Sequence, residues 1–195
     1  VQTCALPIWP PAGGGGAAAG KIFRTGCDSV LQSSVFFVSL DNMAGLYFHI
    51  PFCKRVCAYC DFYKSADLRR MDDLLAAMHR ELDERRGYPG GEAVTTRYFG
   101  GGTPSLCTPE AIRGLLDHAA QLFDCSGAEE TTLEANPDDL TAEYLGGLLE
   151  AGIDRLSIGV QSFDDDCLKL MNRRHTAAQA AEAVRAAQRA GFGNI

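Results

Sequence analysis

The 195 residues contain no run of Lys or Arg, and acidic residues outnumber basic ones, 25 to 18, for a formal charge of −7. Without a basic stripe there is no footprint for a nucleic-acid backbone. There is also no apolar stretch approaching the roughly 20 residues that span a bilayer, which excludes a transmembrane helix. The eight cysteines lack the even distribution of a disulfide framework, because three crowd into Cys53–Cys60. Such clustering favours a metal site in a reducing compartment, so the expected location is the cytoplasm. Cys4, Cys27, Cys107, Cys125 and Cys167 have no spacing partner and are assigned no chemistry.

A helical or strand period is missing from residues 1–42. Val1–Pro11 carries Pro and Trp, and residues 13–20 are only Gly and Ala, punctuation and low complexity rather than structure. The string Val1-Gln2-Thr3-Cys4-Ala5-Leu6-Pro7-Ile8 reads like an in-frame translation of a sequencing-library adapter. The expectation is a non-native or disordered tail over 1–42, with Met43 as the natural start. Val30–Leu40 is apolar, but no charged segment and cleavage site frame it as a signal peptide. At the other end the chain stops at Ile195, where another strand is due, so a core truncated at both ends is expected.

From residue 43 onward the pattern alternates. Leu46-Tyr47-Phe48-His49-Ile50, bounded by Gly45 and Pro51, reads as a strand. Leu68, Met71, Leu75, Met78 and Leu82 recur at steps of three and four, an amphipathic helix ending near Gly87 and Pro89. Thr95–Phe99 is a second strand, Thr131–Ala135 a third and Arg155–Ser162 a fourth. Thr108 and Thr141 cap intervening helices, the second stopped by Gly152. Asp164 opens a short helix, and Thr176 with Gln179 forms a capping box for an Ala-rich one ending at Gly191. Four β-α units in strict alternation demand parallel strands with right-handed crossovers, an α/β barrel or a doubly wound sheet. Periodicity does not choose between the two.

Chemistry concentrates after the first strand, in Cys53-Lys54-Arg55-Val56-Cys57-Ala58-Tyr59-Cys60. Three thiolates at CxxxCxxC spacing can wrap one face of a cubane iron-sulfur cluster and leave its fourth iron without a protein ligand. That open iron can chelate the amino and carboxylate groups of a small molecule. A structural zinc site wants four ligands, and His49, the nearest candidate, has the wrong spacing.

The cysteine motif resembles that of the radical S-adenosylmethionine superfamily. The wider string Gly45–Cys53, with Gly100–Ser105, Glu134-Ala135-Asn136-Pro137 and Gly159–Phe163, resembles the oxygen-independent coproporphyrinogen III oxidase family across residues 45–195. The resemblance implies a partial (β/α)6 barrel cut short after about four β/α units, with residues 43–195 the N-terminal part of its core. It implies a 4Fe-4S cluster on Cys53, Cys57 and Cys60, and S-adenosylmethionine held by Tyr47, Tyr59, Gly101, Gly102, Thr103, Glu134, Gln161 and Arg173. In that scheme Tyr59 lies beside the adenine, the glycines let backbone approach the methionyl amino group, and Glu134 and Gln161 serve the ribose or ammonium. Arg173 takes the carboxylate with its planar fork, although Arg174 is adjacent. His49 matches a family histidine or is a satisfied core residue, and His79, His118 and His175 are surface or capping residues.

Coproporphyrinogen oxidases of this type carry a further cysteine two positions after the third ligand, where this sequence has Phe62. The Cys60-Asp61-Phe62 form resembles the family's heme-chaperone branch. The implied function is heme binding and delivery to an acceptor protein, with a flavodoxin or ferredoxin-type electron donor. Oxidative decarboxylation of a porphyrinogen is the alternative, and a fragment that binds nothing is a third reading.

Overall fold

A computed structural model describes residues 34–40 and 43–195. Expectations for residues 1–33, 41 and 42 lie outside the described residues. The sheet has five strands in the order β1-β2-β3-β4-β5: Val35–Leu40, Met43–Ile50, Ala93–Gly101, Glu130–Ala135 and Arg155–Ile158. Strands β2 to β5 are parallel neighbours in sequence order. Consecutive right-handed crossovers between adjacent strands place α1, α2 and α3 on the same face, the arrangement of a barrel wall. A doubly wound sheet would reverse its strand order part-way.

Helices α1 (Met71–Glu84), α2 (Pro109–Leu122), α3 (Ala142–Ala151), α4 (Asp165–Leu170) and α5 (Ala177–Ala190) fill the connections. Their starts are set by side-chain caps: Thr108 accepts from the Ala111 amide, Thr141 from Tyr144, Asp164 from Cys167, and Thr176 pairs with Gln179 in a full capping box. Gly152 ends α3 with φ 94°, a conformation that a side chain disfavours. The α1 face buries Leu74, Met78 and Leu82, whereas Leu68 sits in a preceding 3-10 turn and is exposed.

Register explains the two faces. Phe48, Phe99, Leu133 and Leu156 form one row across β2 to β5, all buried in the core beneath α1, α2 and α3. The next row, Tyr47, Tyr98, Thr132 and Arg155, faces the opposite side, since neighbouring residues alternate across a strand. The helix-free face is therefore polar.

Three sequence expectations change. The fold does not begin at Met43, because Val35–Leu40 pairs antiparallel with β2, Val35 opposite Phe48, and the Ser34 and Val35 amides donate to Glu81 at 2.7 and 3.1 Å. The free edge of β2 needed a partner, and an apolar β-branched run supplied it. Strand β5 ends at Ile158 rather than Ser162, because the Gly159 amide turns to the Ala135 carbonyl and Gln161 adopts φ 67°. The histidines are not simply surface groups. His175 is 3% exposed, its Nε2 meeting the Val160 carbonyl at 3.0 Å, and His79 Nδ1 meets His118 Nδ1 at 2.8 Å between α1 and α2.

Candidate cluster and cofactor site

Every sequence block that carries chemistry lies at the C-terminal ends of β2 to β5, the rim where parallel barrels assemble their sites. The loop after β2 closes at a neck: Phe52 bridges Ser65, the Cys53 amide donates to the Ser65 carbonyl at 3.0 Å, and the Ser65 amide donates to Pro51 at 2.8 Å. Cys53 sits buried at that neck, while Cys57 and Cys60 are half-buried further out. Within the loop the Cys60 amide donates to the Cys57 carbonyl at 3.3 Å, and the Lys64 ammonium donates to the Cys60 carbonyl. Its outer part is pinned to the segment after α4. The Ala58 amide donates to Met171 at 3.1 Å, and the Asn172 amide group donates to Val56 at 2.7 Å.

Two contacts join the cysteines to the neighbouring strand ends. Thr103 Oγ1 donates to Cys53 Sγ at 3.4 Å, and Arg173 Nη1 donates to Cys57 Sγ at 3.3 Å. Burial pushes the Cys53 thiol up, with the Thr103 hydrogen bond pulling the other way. Asn136 ties the two contacts together, donating to Thr103 Oγ1 at 3.3 Å and accepting from Arg173 Nη2 at 2.6 Å. Arg173 Nη2 also reaches the Gly159 carbonyl at 2.6 Å, while its Nε is buried without a partner. Arg174 points elsewhere, to Asp138 at 3.0 Å and Asp139 at 3.2 Å, so Arg173 is the arginine that faces the cysteines.

The glycines act through what they lack. A Cβ on Gly102 would stand 3.0 Å from Cys53 Sγ and 2.8 Å from the Phe52 carbonyl oxygen, and one on Gly159 would stand 3.2 Å from Arg173 Nη2 and 3.1 Å from Gln161 Nε2. Gly101 has φ 113° and faces His49.

A second group lies beside this one. Glu134 accepts from the Tyr98 hydroxyl at 2.7 Å and from the Gly101 amide at 3.1 Å, and burial raises its carboxyl above the usual range. Tyr98 stacks on Tyr47, whose hydroxyl meets His49 Nδ1 at 3.2 Å. Of the residues expected from sequence, Cys53, Cys57, Gly102, Thr103 and Arg173 thus fall in one contact network. Tyr47, Gly101 and Glu134 fall in the adjoining one. Tyr59 is half-exposed beside Cys57, Gln161 is exposed at the turn after β5, and the hydrogen bonds that hold Cys60 run through its backbone. Sequence reasoning passed over Asn136 and Tyr98, although Asn136 stands inside the Glu134-Ala135-Asn136-Pro137 motif.

Among the described residues no three His, Cys, Asp or Glu side chains converge on one point. A cubane needs no such convergence, because each thiolate takes its own iron. The donor set, the side-chain-free wall at Gly102 and the orphaned Arg173 Nε fit a cluster that carries an anionic chelate.

The model of the radical SAM superfamily matches residues 47–195. The chain is 39% identical over 155 residues to the heme chaperone HemW of Bacillus subtilis (strain 168), covering 78% of this chain and 41% of that protein. It is 35% identical over 158 residues to the oxygen-independent coproporphyrinogen III oxidase of Bradyrhizobium diazoefficiens, covering 78% of this chain and 34% of that enzyme. The solved coproporphyrinogen III oxidase HemN from Escherichia coli superposes with a TM-score of 0.69 at 28% identity, over 77% of this chain and 35% of that one. The chain thus spans about two-fifths or less of the length of these relatives. With the family model spanning the whole rim and the α/β wall matching the HemN barrel, the chain belongs to the radical SAM superfamily.

Proposed function

We propose that Cys53, Cys57 and Cys60 hold a 4Fe-4S cluster with one iron left for S-adenosylmethionine, in a protein that binds heme and delivers it to acceptor proteins. The observation that carries the first half is the closed loop of contacts from Cys53 through Thr103, Asn136 and Arg173 to Cys57. Arg173, freed from Cys57 when that thiolate binds iron, is placed to take a carboxylate in its fork. Gly101, Gly102 and Thr103 present backbone where a methionyl ammonium would lie, with the Glu134 carboxylate beside them. Tyr47, Tyr59 and Gln161 line the approach for the nucleoside. When bound, the cluster would supply the electron that cleaves the sulfonium, the chemistry of the family, drawn from a flavodoxin or ferredoxin-type donor.

The heme-chaperone half is supported by the relatives named HemW, which include proteins of Bacillus subtilis at 39% and Escherichia coli at 38% identity, and by Phe62 where the oxidases carry a cysteine. A cytoplasmic location suits three thiols kept reduced for metal. Coproporphyrinogen oxidation is the second reading, favoured by the likeness to HemN and to the Bradyrhizobium enzyme. The test uses the full-length protein, reconstituted anaerobically and supplied with reductant, S-adenosylmethionine and either coproporphyrinogen III or hemin. We expect hemin to bind and pass to an apo-acceptor, with no vinyl groups formed from the porphyrinogen. Robust vinyl formation would transfer the assignment to the oxidase.

A further inference from the structure

We propose that Asp139 is the positioning residue of this rim, a single carboxylate that clasps three separate segments and thereby sets how tightly S-adenosylmethionine is held. This rests on the reading of Cys53, Cys57 and Cys60 as cluster ligands. Asp139 follows β4 in a short 3-10 turn, and its side chain is only 3% exposed. One oxygen accepts from Lys54 Nζ at 2.9 Å, the other from Ser105 Oγ at 2.9 Å, and Arg174 Nη2 reaches both at 3.2 Å.

Each partner is a near sequence neighbour of a residue in the cysteine network. Lys54 follows Cys53, Ser105 is two residues beyond Thr103, and Arg174 follows Arg173. Holding those three side chains fixes the backbone on which Cys53, Thr103 and Arg173 stand. Ser105 extends the same link, its Oγ accepting from the Asn136 amide at 3.2 Å. A buried carboxylate with two cationic partners is weak evidence of a gain in stability, because desolvation offsets most of the attraction. Its use here is geometric: outer groups that orient a metal site commonly govern its affinity.

The partners also make the clasp separable from folding. Lys54 is 48% exposed on its side chain and can return to water, and Arg174 keeps Asp138 at 3.0 Å. Asp139→Asn, made in the full-length protein, should therefore keep the melting curve and the iron and sulfide content of wild type. The concentration of S-adenosylmethionine that half-saturates the change in the EPR spectrum of the reduced cluster should rise about tenfold or more, the size of loss that removing an outer orienting group brings in metal affinity or activity. Lys54→Met should give a smaller rise, and the double variant should be no worse than Asp139→Asn alone, because both remove one clasp. If Asp139→Asn does not fold, Lys54→Met is read in its place, and a half-saturation equal to wild type overturns the proposal. Wild-type protein that takes up no cluster overturns the ligand reading and the clasp with it. Normal cluster content with unshifted affinity in both variants overturns the clasp alone.

Discussion

Alanine at Cys53, Cys57 or Cys60 is expected to yield a protein that gains almost no iron and none of the broad visible absorbance of a cluster on anaerobic reconstitution. In the proposed cluster each thiolate would serve a different iron, so no remaining cysteine of the set could act for the one removed. Cys107 is badly placed to replace it. Cys107 is buried against Met71 Sδ at 3.9 Å, and burial pushes its thiol up to about 12. Loss of a group that merely orients a ligand costs about 10–100-fold in metal affinity, and loss of the ligand itself should exceed that. Cys107→Ala and Cys125→Ala serve as controls and should retain wild-type iron. Iron content at wild-type level in any of the three loop variants would remove that cysteine from the ligand set.

Gly102→Ala is expected to be among the most damaging changes of a single methyl on the rim. Its Cβ would meet the Phe52 carbonyl oxygen at 2.8 Å, the Pro51 carbonyl carbon at 2.9 Å and Cys53 Sγ at 3.0 Å. Two of these are backbone atoms at the neck of the cysteine loop, and the Gly102 amide is itself held to the Ile50 carbonyl at 2.7 Å. Neither side can yield without opening the neck. At Gly100, by contrast, the nearest atoms belong to the rings of Tyr98 and Tyr47. Overpacking of this kind costs about 1–3 kcal/mol. The urea midpoint should fall accordingly, and cluster content should drop because Cys53 must move. A Gly102→Ala protein with unchanged midpoint and iron would mean that the neck is looser than these distances imply.

Much of the wall was legible because its signals are local. Thr108, Thr141, Asp164 and the Thr176–Gln179 pair mark helix starts within a few residues of themselves, and each cap forms as expected. Strand β1 was missed for the opposite reason. Val35–Val38 is an apolar run whose only structural meaning comes from the free edge of β2, and composition upstream suggested a tail. The end of β5 was overrun because Val160 continues the apolar pattern, whereas the backbone turn at Gly159 and Gln161 has no strong sequence mark.

The site divides in the same way. Cysteine spacing is a one-dimensional pattern, so the three candidate ligands could be named from eight residues. The choice between Arg173 and Arg174 needed the fold, since adjacent residues differ only in which way the chain turns after α4. Asn136, Tyr98 and Asp139 escaped because their partners lie 31 to 85 residues away on other rim segments.

The most direct test of the central claim is EPR of the anaerobically reconstituted, dithionite-reduced protein before and after adding S-adenosylmethionine. A cluster with one open iron predicts a reduced 4Fe-4S signal whose g-values shift on addition of the cofactor and not on addition of methionine-free adenosine. A signal unchanged by S-adenosylmethionine, or no cluster signal at all, would contradict it.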